Sequence, residues 1–495
     1  MDIKRFPKPS LSPQQAGRVF RSVSRRKSLI AKSNDAAELQ GIKPNLAIKE
    51  VFHPNDIRGV YGKILNDDFA YKLGRAIGTY LKCKKIIIGR DMRVSSPKIF
   101  NFLSKGLIES GTSIIDIGLV DTPSIYFATG HYNLPGIMIT ASHNPTEYNG
   151  IKIVRAKARP IDAYHGFKEI IEIIEKNSFS NSKKVGKIIK NNLNEEYGKY
   201  VLSFIDKRKI NNLNIIADAG NGMASLIIPK VFKKINVKLS KLYFDLDGSF
   251  PNHVPNPILK ENIKTLEKKV VKDKADFGIA FDGDMDRVVF VDENGMTVNA
   301  SFIGALLAKK MLSRERKQGV VYSSATSRIV RETILKYGGK PIREKVGHSF
   351  IKSRMLESDA VFVIEHSGHY YYRDNYYADS GLITALIILE IYSDAKKRGM
   401  KFSDLVREFE EYSQADEISI KLKNEKDIIG SIEKYYINKK PKKSDHFDGL
   451  FMEFEDYWFC ARRSNTEPLL RINLEARNKG VLKEKVKEIL KLIKK

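Results

Sequence analysis

Asp282, Asp284 and Asp286 stand at alternate positions of Asp282-Gly283-Asp284-Met285-Asp286-Arg287, directly after the apolar run 275–281. Alternate residues of an extended segment point the same way, so the three carboxylates are expected to converge on one point. Packed carboxylates repel, and a hard divalent cation with oxygen ligands resolves the repulsion, Mg²⁺ most simply. Arg287 beside them offers a planar fork for phosphate or carboxylate. An EF-hand is rejected, because Arg287 falls at the loop's sixth position, where glycine is needed, and Val288–Val291 reads as a strand. A solvated acidic turn is the remaining alternative.

Three further stretches could bring chemistry to such a cation. Thr140-Ala141-Ser142-His143-Asn144-Pro145 follows the apolar run Gly136–Ile139, the pattern of a buried strand opening into a loop at an Asn-Pro turn. A serine hydroxyl there needs a base, a metal or a lowered pKa to become a nucleophile. Otherwise Ser142 and Thr140 only satisfy turn hydrogen bonds. Glu365-His366-Ser367-Gly368-His369 follows the run 360–364. Glutamate accepts hydrogen bonds from sugar hydroxyls and histidine exchanges a proton near neutral pH, although the same residues also suit a surface turn. Arg462-Arg463-Ser464-Asn465-Thr466-Glu467-Pro468-Leu469-Leu470-Arg471 reads as a loop for a doubly charged phosphate, or as a charged surface turn.

The elements that must hold these loops alternate short β runs with longer helical ones. Residues 85–88, 112–117 and 136–140 read as strands, and 68–81 and 97–110 as helices. The alternation restarts at 213–218 with 275–281, and again at 319–324 with helix 327–337 and strand 360–364. Strands separated by helices form βαβ units and a largely parallel sheet. Beyond about residue 414 a smaller α+β piece follows, with strands 417–422, 449–454 and 458–461 and helix 482–494.

At 495 residues the chain is too long for one core, and 42% hydrophobic residues can fill several. No apolar run approaches the roughly 18 residues of a membrane helix, so no membrane partner is expected. Cys83 and Cys460 are the only cysteines and show no metal spacing, which suits a reducing compartment and excludes a disulfide scaffold. The net charge of +27 points towards polyanions, but the lysines are scattered and no nucleic-acid module is visible. The excess is read as solvated surface, able in part to attract a phosphorylated substrate, with no specific nucleic-acid role. Residues 1–48 are basic and poorly periodic, with Arg21, Arg25, Arg26 and Lys27 among serines. A flexible extension is expected there, with organelle targeting as the alternative.

Taken in order, the four loops resemble those of the α-D-phosphohexomutase family, the phosphomannomutase/phosphoglucomutase enzymes. The likeness runs from about residue 52 to 477 and includes Asp56-Ile57-Arg58-Gly59, Gly89-Arg90-Asp91-Met92-Arg93, Tyr148-Asn149-Gly150-Ile151-Lys152, Pro251-Asn252 with Pro255-Asn256-Pro257, and Val346-Gly347-His348. Two positions depart from the common pattern: Ile364 stands where glycine usually precedes the glutamate, and Met285 where Gly, Ala or Phe is common. The EHSGH form, followed by Asp374 to Gly381, looks like the phosphomannomutase or dual-specificity branch.

The resemblance implies an α/β fold of three related mixed α/β domains plus a smaller C-terminal α+β domain around a central cleft. Expected divisions are 49–200 with the phosphoserine loop, 201–303 with the metal loop, 304–414 with the sugar loop and 415–495 with the phosphate loop. It implies a mutase that interconverts mannose 6-phosphate and mannose 1-phosphate through phospho-Ser142 and a hexose 1,6-bisphosphate, which also serves as activator. Glucose phosphates are the alternative substrates, and a metal-dependent sugar phosphatase is the alternative class. Ser142, His143, Lys152, Arg58 and His369 are the implied catalytic residues. Substrate would be held by Glu365, Ser367, His348, Arg287, Arg462, Ser464, Asn465, Thr466 and Arg471, and Mg²⁺ by Ser142, Asp282, Asp284 and Asp286. The expected setting is cytoplasmic, with a small sugar phosphate as partner and a monomer or homodimer as assembly.

Overall fold

The computed structural model describes residues 46–421, 427–464 and 469–493. Residues 1–45 of the expected extension, and Asn465 and Thr466 of the arginine stretch, lie outside the described residues. Four sheets follow one another along the chain. The first runs in the order Ile57–Val60, Tyr148–Arg155, Gly136–Ile139, Lys85–Arg90, Ser113–Leu119, Ile188–Lys190. The second runs Val288–Val291, Phe277–Phe281, Leu213–Asp218, Val237–Leu242, and the third Lys340–Glu344, Gly319–Ser323, Phe362–Ile364, Tyr370–Tyr372, Ala378–Asp379. In the fourth, Leu469–Ala476 pairs with Tyr457–Arg463, Ser413–Gln414 and Ile418–Lys421, and the sheet continues to Leu450–Glu453 and Lys443–Asp445.

Each of the first three sheets has a parallel core and an antiparallel return at one edge. Gly136–Ile139 is parallel to Lys85–Arg90 but antiparallel to Tyr148–Arg155. Phe277–Phe281 is likewise parallel to Leu213–Asp218 and antiparallel to Val288–Val291, and Phe362–Ile364 repeats the arrangement with Tyr370–Tyr372. The fourth sheet is antiparallel throughout its described pairs, with Tyr457–Arg463 turning back into Leu469–Ala476. All four chemistry-bearing stretches therefore occupy one kind of place, the reversal after a buried strand. In the three α/β sheets it is the carboxyl end of a parallel strand, where open α/β sheets bind ligands.

Two sequence expectations change. Within 462–471, Arg462 and Arg471 belong to two antiparallel strands and face each other in register. Alternation in Tyr457–Arg463 and Leu469–Ala476 is hidden because both strands are buried over most of their length. A break at 303/304 would fall inside the helix Ala300–Arg314, whose start is set by Asn299, the side chain of which accepts from Ser301 N.

The second and third layers share one apolar core, into which Phe127 of the first also packs. The helix Gly381–Lys396 lies in it, and its buried positions run from Gly381 to Ala395 around almost every side. In the helix Ala300–Arg314, a Cβ on Gly304 would meet Ile364 Cγ2 at 2.3 Å, so glycine makes room for the isoleucine that precedes the sugar loop. The fourth sheet has its own core, drawn from Ile418 to Ile493. Polar contacts tie it to the third layer: Arg343 NH1 donates to Asp445 Oδ2 at 2.7 Å, Val346 N to Asp448 Oδ2 at 2.9 Å and Arg328 N to Glu475 Oε1 at 3.1 Å.

Candidate active site

Ser142 is buried and held with φ 49°, a left-handed conformation uncommon for a residue with a side chain. Two contacts impose it. Its N–H donates to Thr140 Oγ1 at 2.9 Å, and its carbonyl accepts from Arg93 NH2 at 2.9 Å. Arg93 also donates to the carbonyls of Asn144, Pro145 and Tyr148, and its Nε lies 3.3 Å from Asp91 Oδ2. This fully buried guanidinium is thus the frame of the serine loop. Arg93→Met would leave buried Asp91 and the carbonyls without their partner, a loss of about 3–5 kcal/mol. The expected result is a melting temperature lower by several degrees and kcat reduced ~10-fold or more as Ser142 is misplaced.

The acidic loop meets the serine loop directly. Ser142 Oγ donates to Asp282 Oδ2 at 2.9 Å, and a Cβ on Gly283 would stand 2.5 Å from the Ser142 carbonyl oxygen, so only glycine permits this approach. The three aspartates do converge, with carboxylate oxygens within 4.8 Å of one another. Their route differs from the expected extended segment: the loop is a turn in which Met285 takes φ 65° and sinks into the core. Burial, with Asp286 and Asp284 at hand, pushes the Asp282 carboxyl well up. Burial acts the same way on Asp286, but Lys152, His369 and Arg287 outweigh it and hold this carboxyl well below the ordinary range. Asp284 Oδ2 accepts from Thr122 Oγ1 at 2.5 Å, while Asp284 Oδ1 is buried without a protein partner. An all-oxygen set with an unpartnered buried lobe fits a hard divalent cation.

Register delivers two cations to the same place. Arg58 pairs with Gly150, and Lys152 lies two residues on, so both project from one face of the first sheet. Lys152 Nζ donates to Asp284 Oδ2 at 2.8 Å and Asp286 Oδ2 at 2.7 Å. Burial pulls its ammonium down, but Asp284 and Asp286 more than compensate and keep it charged. Arg58 bonds Asn144 of the serine loop and Asp56. His143 Nδ1 is 3.3 Å from Ser142 Oγ, and burial together with Arg287 and Arg58 keeps its imidazole neutral, well below its usual pKa.

The sugar stretch joins from the third layer. His369 Nε2 lies 3.3 Å from Asp286 Oδ1 and accepts from Arg287 Nε at 3.2 Å, and its Nδ1 is 2.9 Å from Ser367 Oγ. Burial and Arg287 lower the His369 pKa, Asp286 and Glu365 raise it, and the net direction is upward. Glu365 Oε1 accepts from Tyr371 OH at 2.5 Å, and the same hydroxyl is 3.0 Å from His348 Nδ1. At the far end, Arg462 and Arg471 both donate to Glu417, at 3.1 and 2.6 Å. Ser464 accompanies them, its N–H donating to the Leu469 carbonyl at 2.8 Å.

Ser142, His143, Lys152, Arg287, His369 and the three aspartates are thus linked by direct contacts, and Arg58 joins them through Asn144 of the serine loop. Ser367 and Glu365 lie against His369, and His348 is reached through Tyr371. Sequence reasoning gave no role to Arg93, Thr122, Tyr371, Asp379 or Glu417. Asp379 is fully buried and its carboxylate gathers with Asp286 and His369. Asp379 and Arg93 stand in polar stretches, and no periodicity or spacing singled them out.

Comparison with known proteins agrees with this geometry. Models of phosphoglucomutase/phosphomannomutase α/β/α domain I, domain II and domain III match residues 49–181, 195–295 and 299–412. The chain is 38% identical over 459 residues to a phosphomannomutase from Vibrio cholerae serotype O1, covering 90% of this chain and 98% of that relative. It is 37% identical over 442 residues to a phosphomannomutase from Escherichia coli strain K12, covering 88% and 96%. A crystal structure of a phosphoglucomutase/phosphomannomutase family protein from Burkholderia thailandensis superposes with a TM-score of 0.80 at 29% identity, covering 90% of this chain and 98% of that one. Three domain models in sequence order, with relatives matched along nearly their whole length, place the chain in the phosphoglucomutase/phosphomannomutase family.

Proposed function

We propose that this chain interconverts mannose 6-phosphate and mannose 1-phosphate through phospho-Ser142 and a hexose 1,6-bisphosphate, which also primes the enzyme. The observation that carries the reading is the meeting of Ser142 Oγ with Asp282 at 2.9 Å inside a ring of Lys152, Arg58, His143 and Arg287. Phosphoryl transfer needs in-line positioning and charge neutralisation more than covalent chemistry. A Mg²⁺ held by Asp282, Asp284, Asp286 and a phospho-Ser142 oxygen would supply Lewis-acid charge at the transferring group. Lys152 and Arg58 neutralise the equatorial oxygens. For the sugar hydroxyl proton we assign His369 as the group that takes it, and Lys152, kept charged by Asp284 and Asp286, as a group that can return one. Glu365, Ser367 and His348 receive sugar hydroxyls, and Arg462, Ser464 and Arg471 anchor the phosphate that does not react, together with Asn465 and Thr466.

Supporting the sugar assignment, the Vibrio cholerae and Escherichia coli relatives carry the name phosphomannomutase. We further infer a cytoplasmic monomer or homodimer of four units, with the second break before Ala300. Among the described residues no helix is long and apolar enough to cross a membrane. The test is a coupled assay with Mg²⁺ and a trace of hexose 1,6-bisphosphate, comparing kcat/KM on mannose 1-phosphate and glucose 1-phosphate. Turnover of mannose 1-phosphate at the higher kcat/KM is expected. A higher value for glucose 1-phosphate would reassign the substrate, and release of phosphate faster than isomerisation would make the protein a phosphatase.

A further inference from the structure

Glu417 belongs to none of the four stretches, yet its carboxylate lies between the two arginines of the proposed phosphate anchor. Arg462 NH2 donates to Oε2 at 3.1 Å and Arg471 NH1 to Oε1 at 2.6 Å. His366 Nε2, from the sugar stretch, lies 3.4 Å from Oε2. The contacts are sheltered, with the Arg462 side chain 7% and that of Glu417 17% exposed, unlike the solvated pairs that contribute little. Burial pushes the Glu417 carboxyl up, but His366, Arg462 and Arg471 prevail and hold it far below the ordinary range.

The position of this carboxylate is built in. Arg462 and Arg471 stand opposite each other across the two strands, where two guanidiniums repel. Glu417 immediately precedes the strand Ile418–Lys421, whose Ser419 is in register with Arg471. The ladder therefore fixes where the carboxylate enters. We infer that Glu417 is a positioning residue for the phosphate anchor: it sets the spacing and tilt of the two guanidiniums and, through His366, ties the anchor to the sugar stretch. The inference rests on the proposed role of Arg462 and Arg471. A guanidinium carries five N–H donors, so the bond to Glu417 leaves Arg462 capacity for a phosphate dianion. Arg462 Nε is buried without a protein partner, as a fork waiting for an anion requires.

The experiment uses the full chain as wild type, Glu417→Gln, Glu417→Ala and Arg471→Ala. It measures KM and kcat for mannose 1-phosphate and the inhibition constant of inorganic phosphate. Glu417→Gln keeps the shape and removes the charge, and a melting curve checks its fold. Both Glu417 variants are expected to raise KM and the phosphate inhibition constant ~10-fold, more than they lower kcat, because loosened guanidiniums bind the anion less well. Tighter phosphate inhibition would show that Glu417 competes for the seat and would overturn the inference, as would unchanged values. If Arg471→Ala leaves KM and phosphate inhibition at wild-type values, the anchor itself is misassigned, and that failure is read independently of Glu417.

Discussion

Ser142→Ala is expected to lower mutase kcat by about 10³-fold or more, because the hydroxyl proposed to carry the phosphoryl group is gone. Thr140 Oγ1 is committed to the Ser142 N–H. The fold should survive. The loop is framed by Arg93 through main-chain carbonyls, and the substitution removes one hydroxyl bonded to Asp282. A melting temperature within a few degrees of wild type, measured beside the rate, separates lost chemistry from lost structure. Full turnover by the alanine variant would remove phosphoserine from the route.

Chelation is expected to abolish turnover and Mg²⁺ to restore it, with a second readout that does not depend on catalysis. Three carboxylates within 4.8 Å destabilise one another, and burial together with Asp286 and Asp284 pushes Asp282 well up. A cation that binds only the folded chain relieves this, and at 100 times its dissociation constant it stabilises by about 2.7 kcal/mol. Mg²⁺ should therefore raise the melting temperature of the wild type. Asp284→Asn should shrink that shift and lower kcat by about 10²-fold or more, since it removes charge from the lobe that has no protein partner. An unchanged Mg²⁺ response in Asp284→Asn would place the cation elsewhere.

The chemistry-bearing loops were legible because each is contiguous and follows an apolar run that periodicity exposes. Ser142, the three aspartates and Glu365 to His369 needed no partner from elsewhere to be noticed. What stayed hidden depends on register. Lys152 reaches the aspartates, and Arg58 the serine loop at Asn144, only through the pairing of Ile57–Val60 with Tyr148–Arg155, and the resemblance, rather than spacing, named them. Arg93, Thr122 and Glu417 act across 49, 162 and 45 residues of chain, on Ser142, Asp284 and Arg462. The turn of Met285 was misjudged for a local reason: alternating aspartates fit an extended strand, but the side chain of Met285 prefers the apolar core and takes the backbone to φ 65°. Likewise Arg462 and Arg471 were assigned to a loop because polar composition masked the two buried strands that carry them.

The separate core of the fourth sheet bears on how a bisphosphate could turn end for end. Parting the second and third layers would tear a common apolar core and expose it to water, at a cost that grows with every square ångström. The fourth sheet is tied on by partners such as Arg343 with Asp445, Val346 with Asp448 and His366 with Glu417. Such bonds can be traded for bonds to water one at a time, at little net cost each. The molecule thus combines a stiff joint and a loose one. The aspartate loop belongs to the stiff side, and the Arg462 and Arg471 pair proposed to release and regrip the sugar phosphate belongs to the loose side.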